Sequence, residues 1–179
     1  MPKLTLLLRL TFAATTVFLW STLDSAPQIP ASSAYVLGPD EGEILLVRNT
    51  KVIVKVDPRT GSRSMAAGTQ SLGPGAGIPL HKHDNSDEML VIEKGSAMAM
   101  LGDQRKIAGA GSTIFIPKGV WHGVEPVKED SQFLWVVSPP GLEGYFREIG
   151  SKPGAPMKQF TPQELADVAR KHGVALPRE

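Results

Sequence analysis

Apolar residues along this chain come in short blocks separated by glycine, proline and aspartate. Residues 44–48 and 52–56 are aliphatic and β-branched; in the second block Lys51 and Lys55 share one face while Val52, Val54 and Val56 share the other. Asp57-Pro58-Arg59-Thr60-Gly61 has the composition of a turn, as has Gly73-Pro74-Gly75-Ala76-Gly77. Strands are expected again at 78–83, 89–93, 97–101, 113–116 and 132–138, the last stopped by Pro139-Pro140-Gly141. Seven or more short strands at fairly even spacing predict a closed or sandwiched antiparallel β structure. The pattern then changes to a helical one. Residues 142–149 suit two turns of helix ended by Gly150. Thr161-Pro162-Gln163-Glu164 reads as a capping box with proline at the first helical position. Leu165, Val168 and Ala169 follow at helical spacing, and Gly173 supplies a stop. The small apolar face of this helix suits docking on the barrel.

The first 34 residues stand apart. Lys3 and Arg9 precede an apolar run that ends in a polar, proline-containing stretch, and Ser32-Ser33-Ala34 offers small residues at the exit. This is the layout of an export signal, with cleavage expected after Ala34. The run after Arg9 is about 14 residues, against the roughly 20 that span a bilayer. Counted from residue 4 to 23 it becomes long enough for the alternative, an uncleaved membrane anchor. The expected organisation is thus a leader at 1–34, a β-barrel at 35–141 and a helical tail at 142–179 packed on the barrel. The product would be periplasmic or secreted.

Composition narrows the chemistry. All 179 residues include no cysteine, which removes disulfides, thiolate metal sites and cysteine nucleophiles. With 19 basic and 18 acidic residues the net charge is +1 and there is no basic stripe, so nucleic acid is not an expected partner. Four histidines remain, and three of them fall in two segments about forty residues apart. On a strand, His81 and His83 point to one face and can converge. Glu88 follows five residues on, on a strand where it would point inward with Leu90 and Ile92. His122 stands just beyond the turn Pro117-Lys118-Gly119-Val120-Trp121. Three neutral imidazoles and a carboxylate suit one divalent transition ion. Asp84, Asp87, Glu93 and His172 read as solvated residues. On 97–101 either Ala97 and Ala99 or Met98 and Met100 face inward.

These residues resemble the two motifs of the cupin superfamily. Gly75, His81, His83, Glu88 and Gly95 have the spacing of the first motif, and Gly111, Pro117, Gly119 and His122 that of the second. Pro126 stands where the family usually has asparagine, a departure that touches the turn more than the ligands. The tail, from Pro139-Pro140-Gly141 to Lys171-His172-Gly173, is loosely similar to small single-domain cupins of the quercetin-dioxygenase group. The resemblance implies an all-β fold, a cupin-type antiparallel β-barrel (double-stranded β-helix or jelly roll), with short C-terminal helices. It implies metal ligation by His81, His83, Glu88 and His122, with Glu88 also a proton acceptor, and pairing of two copies into a homodimer.

The implied activity is that of a metal-dependent, dioxygenase-like oxidoreductase on a small organic molecule. A non-catalytic metal- or ligand-binding protein and a Lewis-acid isomerase or decarboxylase are the alternatives. Zn, Cu, Fe, Mn and Ni all fit the donors. A chain that folds after export meets Zn and Cu on terms at least as favourable as Fe.

Overall fold

The structure is a computed structural model that describes residues 33–177 apart from 49, 74, 128 and 129. The expected leader and its anchor alternative lie outside the described residues, Ser33 and Ala34 excepted. Among the described residues no helix is long and apolar enough to cross a membrane.

In chain order the strands are β1 (Glu43–Val47), β2 (Thr50–Val56), β3 (Ala66–Leu72), β4 (Ile78–His83), β5 (Asp87–Lys94), β6 (Ser96–Leu101), β7 (Gln104–Gly109), β8 (Thr113–Ile116), β9 (His122–Pro126) and β10 (Ser131–Ser138). Helices α1 (Leu142–Ile149) and α2 (Pro162–Lys171) follow, and β11 (Val174–Ala175) comes last. A six-stranded sheet has the order β1-β2-β3-β10-β5-β8 and a five-stranded sheet the order β11-β4-β9-β6-β7; every pairing is antiparallel. The expected all-β fold with short C-terminal helices is the one observed.

Alternation explains which side chains meet between the sheets. Phe133, Trp135 and Val137 of β10 are buried, as are Leu90 and Ile92 of β5 and Ala97 and Ala99 of β6. On 97–101 it is therefore the alanines that face inward. Three strands carry no such signal in the sequence. β3 reads AAGTQSL, low in apolar residues because Trp135 fills the space above it: a Cβ on Gly68 would overlap the Ile53 carbonyl and come within 2.7 Å of Trp135 Cζ2. β7 is the outer strand of its sheet, and Gln104 to Ile107 are exposed, so nothing demands alternation. β9 contains glycine and proline, which mask it. Its Gly123 is required by a close approach, since a Cβ there would stand 2.7 Å from Met100 Cε and 2.9 Å from the Ile78 carbonyl.

The helices form as their sequences dictate. Glu164 N–H donates to Thr161 Oγ1 and Thr161 N–H to Glu164 Oε2, completing the capping box. α1 buries Leu142, Tyr145, Phe146 and Ile149, and the Phe146 ring meets Trp135 edge-on at 5.5 Å. Arg147, on the same helix, reaches Glu43 and Asp57 at 2.5 Å each. His172 departs from expectation: its side chain is only 18% exposed, and its Nε2 lies 2.8 Å from Glu148 Oε2. It joins α2 to α1. β11 pairs with β4, Val174 opposite His83.

Candidate metal centre

His81 and His83 sit two apart on β4 and share its inner face, as strand geometry requires. His122 opens β9 and stands opposite His81 in the register of the two strands. The turn before it is fastened to β4 and β5. Gly119, at φ 81°, donates its N–H to the His83 carbonyl at 2.7 Å, and Lys118 N–H donates to Asp87 Oδ1 at 2.9 Å. Glu88 comes from β5 in the opposite sheet and points inward with Leu90 and Ile92. One donor atom from each of His81, His83, Glu88 and His122 lies within 4.8 Å of the others. Asp84, Asp87 and Glu93 are exposed, as expected.

The tautomers follow from the carbonyls nearby. His81 Nδ1–H donates to the Pro79 carbonyl at 2.9 Å and His122 Nδ1–H to the Val120 carbonyl at 2.9 Å. A carbonyl only accepts, so in the neutral rings each Nε2 carries a lone pair. His83 Nε2 lies 3.2 Å from Glu88 Oε2 and donates to it when that nitrogen carries the proton. His122 Nε2 is also 2.9 Å from that oxygen, yet it is not aligned for a hydrogen bond and is a buried polar atom without a partner among the described residues. Two lone pairs facing each other at that distance repel unless a cation lies between or beside them. Two donors bound at ~2.1 Å to one ion, at angles of 90–110°, stand about 3.0–3.4 Å apart, so the spacing suits a shared ion.

Burial pushes the Glu88 carboxyl pKa up, but the imidazoles of His122 and His83 outweigh it and hold the pKa well below the usual range. His81 is lowered to about 3, first by burial and then by the neighbouring His122 and His83. Both groups thus take their metal-binding forms at neutral pH. The sign of the pH effect follows: the unfolded state takes up His81's proton below about 6.5, whereas the folded state resists until about 3. Metal-stripped protein should therefore lose stability as pH falls across that window, by at most about 5 kcal/mol. Urea midpoints of EDTA-treated protein would show it. A His81→Gln variant should give a flatter profile above pH 4.5, and an equally steep one would exclude His81 as the source.

A cavity of about 70 Å³ opens beside the cluster, with His81, Glu88 and His122 in its wall. Its remaining lining is mainly apolar, including Ile78, Leu90, Val124 and Phe146. α1 and β11 contribute to its wall, the latter through Val174. Trp121 stays outside it, with Lys82 Nζ 5.7 Å from its ring centroid. Thr50 and Gln70 also line the cavity; the only trace of this in the sequence is a lone amide in a weakly apolar segment.

A model of the cupin domain matches residues 68–137, and an uncharacterized protein of Streptomyces coelicolor is 31% identical over 78 residues, 44% of this chain and 73% of that protein. The chain belongs to the cupin superfamily. Among solved structures, a predicted oxalate decarboxylase from Thermotoga maritima shares this cupin's fold with a TM-score of 0.54 and 20% identity, over 58% of this chain and 98% of that one. An RmlC-like cupin from Shewanella frigidimarina has a TM-score of 0.53 and 18% identity, over 60% of this chain and 93% of that one.

Proposed function

We propose that this cupin is exported and that it is a metal-dependent oxidoreductase of the dioxygenase type, acting on a small organic molecule. His81, His83, Glu88 and His122 hold one divalent transition ion per chain. The observation that carries the reading is the mainly apolar cavity that opens on His81, Glu88 and His122, three of these four clustered donors. When bound, a redox-active ion supplies a meeting point for O₂ and an oxygen-bearing substrate.

The protein's own part is positioning and exclusion of water. The carbonyls of Pro79 and Val120 fix the rings of His81 and His122. Ile78, Leu90, Val124 and Phe146 shed water from the substrate side. Glu88 is the proton acceptor within the cavity wall. Its depressed pKa makes it a weak base, matched to an acidic hydroxyl such as a phenol or enol.

The test is elemental analysis of protein from its native compartment, followed by oxygen-electrode screening of small phenols and enols. The expected result is a redox-active metal near one per chain and O₂ uptake with at least one compound. Stoichiometric zinc without O₂ uptake would overturn the oxidoreductase reading in favour of Lewis-acid chemistry.

A further inference from the structure

At the cavity wall contributed by β3, a polar group is buried with part of its bonding capacity unused. Gln70 is 5% exposed. Its Nε2–H donates to Thr50 Oγ1 at 2.9 Å, and Thr50 Oγ1–H donates onward to the Val47 carbonyl at 2.6 Å. The Val47 carbonyl can only accept, so the relay has one direction, and it orients the amide with Nε2 toward Thr50. Gln70 Oε1 is left as an acceptor with no hydrogen-bond partner among the described residues, on a side chain that lines the cavity. Tyr145 lines the same cavity, and its hydroxyl has no hydrogen-bond partner among the described residues either. Burial raises its pKa, against the opposing charge of Arg48, so it remains a neutral phenol.

This polar end is distant from the metal donors. Gln70 lies two strands from Glu88 along β3-β10-β5, and the register Ala66–Val137–Glu88 places it four residues further along. At ~4.8 Å per strand and ~3.3 Å per residue the backbones are about 16 Å apart. Histidines aside, Arg48 is the single basic side chain in the lining, and it is exposed. Among the described residues, an anionic group buried at the Gln70 end would find only the solvent-exposed Arg48 as a counter-charge.

We infer that Gln70, oriented by Thr50, is a specificity-determining residue that accepts a hydrogen bond from a hydroxyl on an uncharged, otherwise apolar ligand, at the end of that ligand remote from the metal donors. The inference deepens the proposed function and rests on it for the role of the other end of the cavity. A site built to bond a hydroxyl discriminates against the analogue lacking it, because the buried acceptor is then left unpaired.

Calorimetric titration with benzyl alcohol, its hydroxyl-free isostere ethylbenzene, and benzoate tests this on the full chain, with and without EDTA. Benzyl alcohol should bind the wild type with a preference over ethylbenzene that survives metal removal, and benzoate should bind weakest. Gln70→Leu should shift the alcohol-to-ethylbenzene ratio about tenfold toward ethylbenzene, and Thr50→Val should shift it the same way. Because the preference is read in metal-free protein, a failure of the metal assignment leaves this test intact. A preference that vanishes with EDTA would place the hydroxyl at the metal donors and overturn the inference. So would equal affinities for the two compounds in the wild type, binding of neither, or a ratio unchanged in both variants.

Discussion

Replacing His122 by alanine should weaken metal binding by a factor on the order of 10²–10³, taking dialysed protein from about one ion per chain to almost none. The size follows from the donors: four-ligand sites of this kind bind with ~10–16 kcal/mol, so each ligand carries roughly a quarter. The position matters as much as the number. His122 is 1% exposed, its Nδ1–H is committed to the Val120 carbonyl, and its Nε2 has no hydrogen-bond partner to lose. Nothing in the fold depends on that lone pair, so alanine removes a donor while the turn stays tied to β4 through Gly119. Elemental analysis and competition with a chromogenic chelator give the two readouts. Unchanged stoichiometry with unchanged affinity would mean that the three histidines and Glu88 do not act as one shell.

The largest effect on stability is expected away from the cavity. Asp57 is fully buried, and its carboxylate has two attachments: Oδ1 accepts from Thr60 N–H at 3.1 Å, and Oδ2 meets Arg147 at 2.5 Å. Arg147 also holds Glu43, and its own pKa, which burial would lower, is raised by the hydrogen bonds it donates to Glu43 and Asp57. Arg147→Ala leaves a buried carboxylate without its counter-charge and should cost about 3–5 kcal/mol in urea unfolding. Adding Asp57→Asn keeps an oxygen for the Thr60 cap while removing the stranded charge, so the double variant should be more stable than the single one. If the two changes simply add, the cost arises from lost packing of the arginine stem rather than from the charge.

What the sequence disclosed depended on what each segment had to do. The clustering of His81, His83, Glu88 and His122 was legible because spacing on a strand is rigid: His81 and His83 share a face by period two, and Glu88 falls in phase with Leu90 and Ile92. Both helices were legible because Gly150, Thr161, Pro162 and Gly173 mark their ends chemically. β3, β7 and β9 were not. In β3 the burial is supplied by Trp135 from the neighbouring strand, so its residues before Leu72 are small or polar. In β7 the outer position leaves side chains free to be charged. In β9 the space opposite Met100 and Ile78 demands glycine, and the first position is given to a candidate ligand. Gln70 escaped notice for a related reason: a buried amide has meaning only when the cavity it faces is known. The role of His172 depended on α1 and α2 meeting, which no local pattern encodes.

The two residues of β11 have a consequence out of proportion to their length. β4 carries two of the four candidate ligands, and β11 alone separates it from the margin of the five-stranded sheet. A strand at such a margin offers unpaired amides and carbonyls to any other chain that can lie alongside. Val174 and Ala175 occupy that position opposite His83 and Lys82, and the Gly173 carbonyl takes the Asp84 N–H just beyond. The segment therefore guards the ligand-bearing strand against self-association. It also links the chain's last helix to the stretch of backbone where an error of register would turn both histidines away from the site.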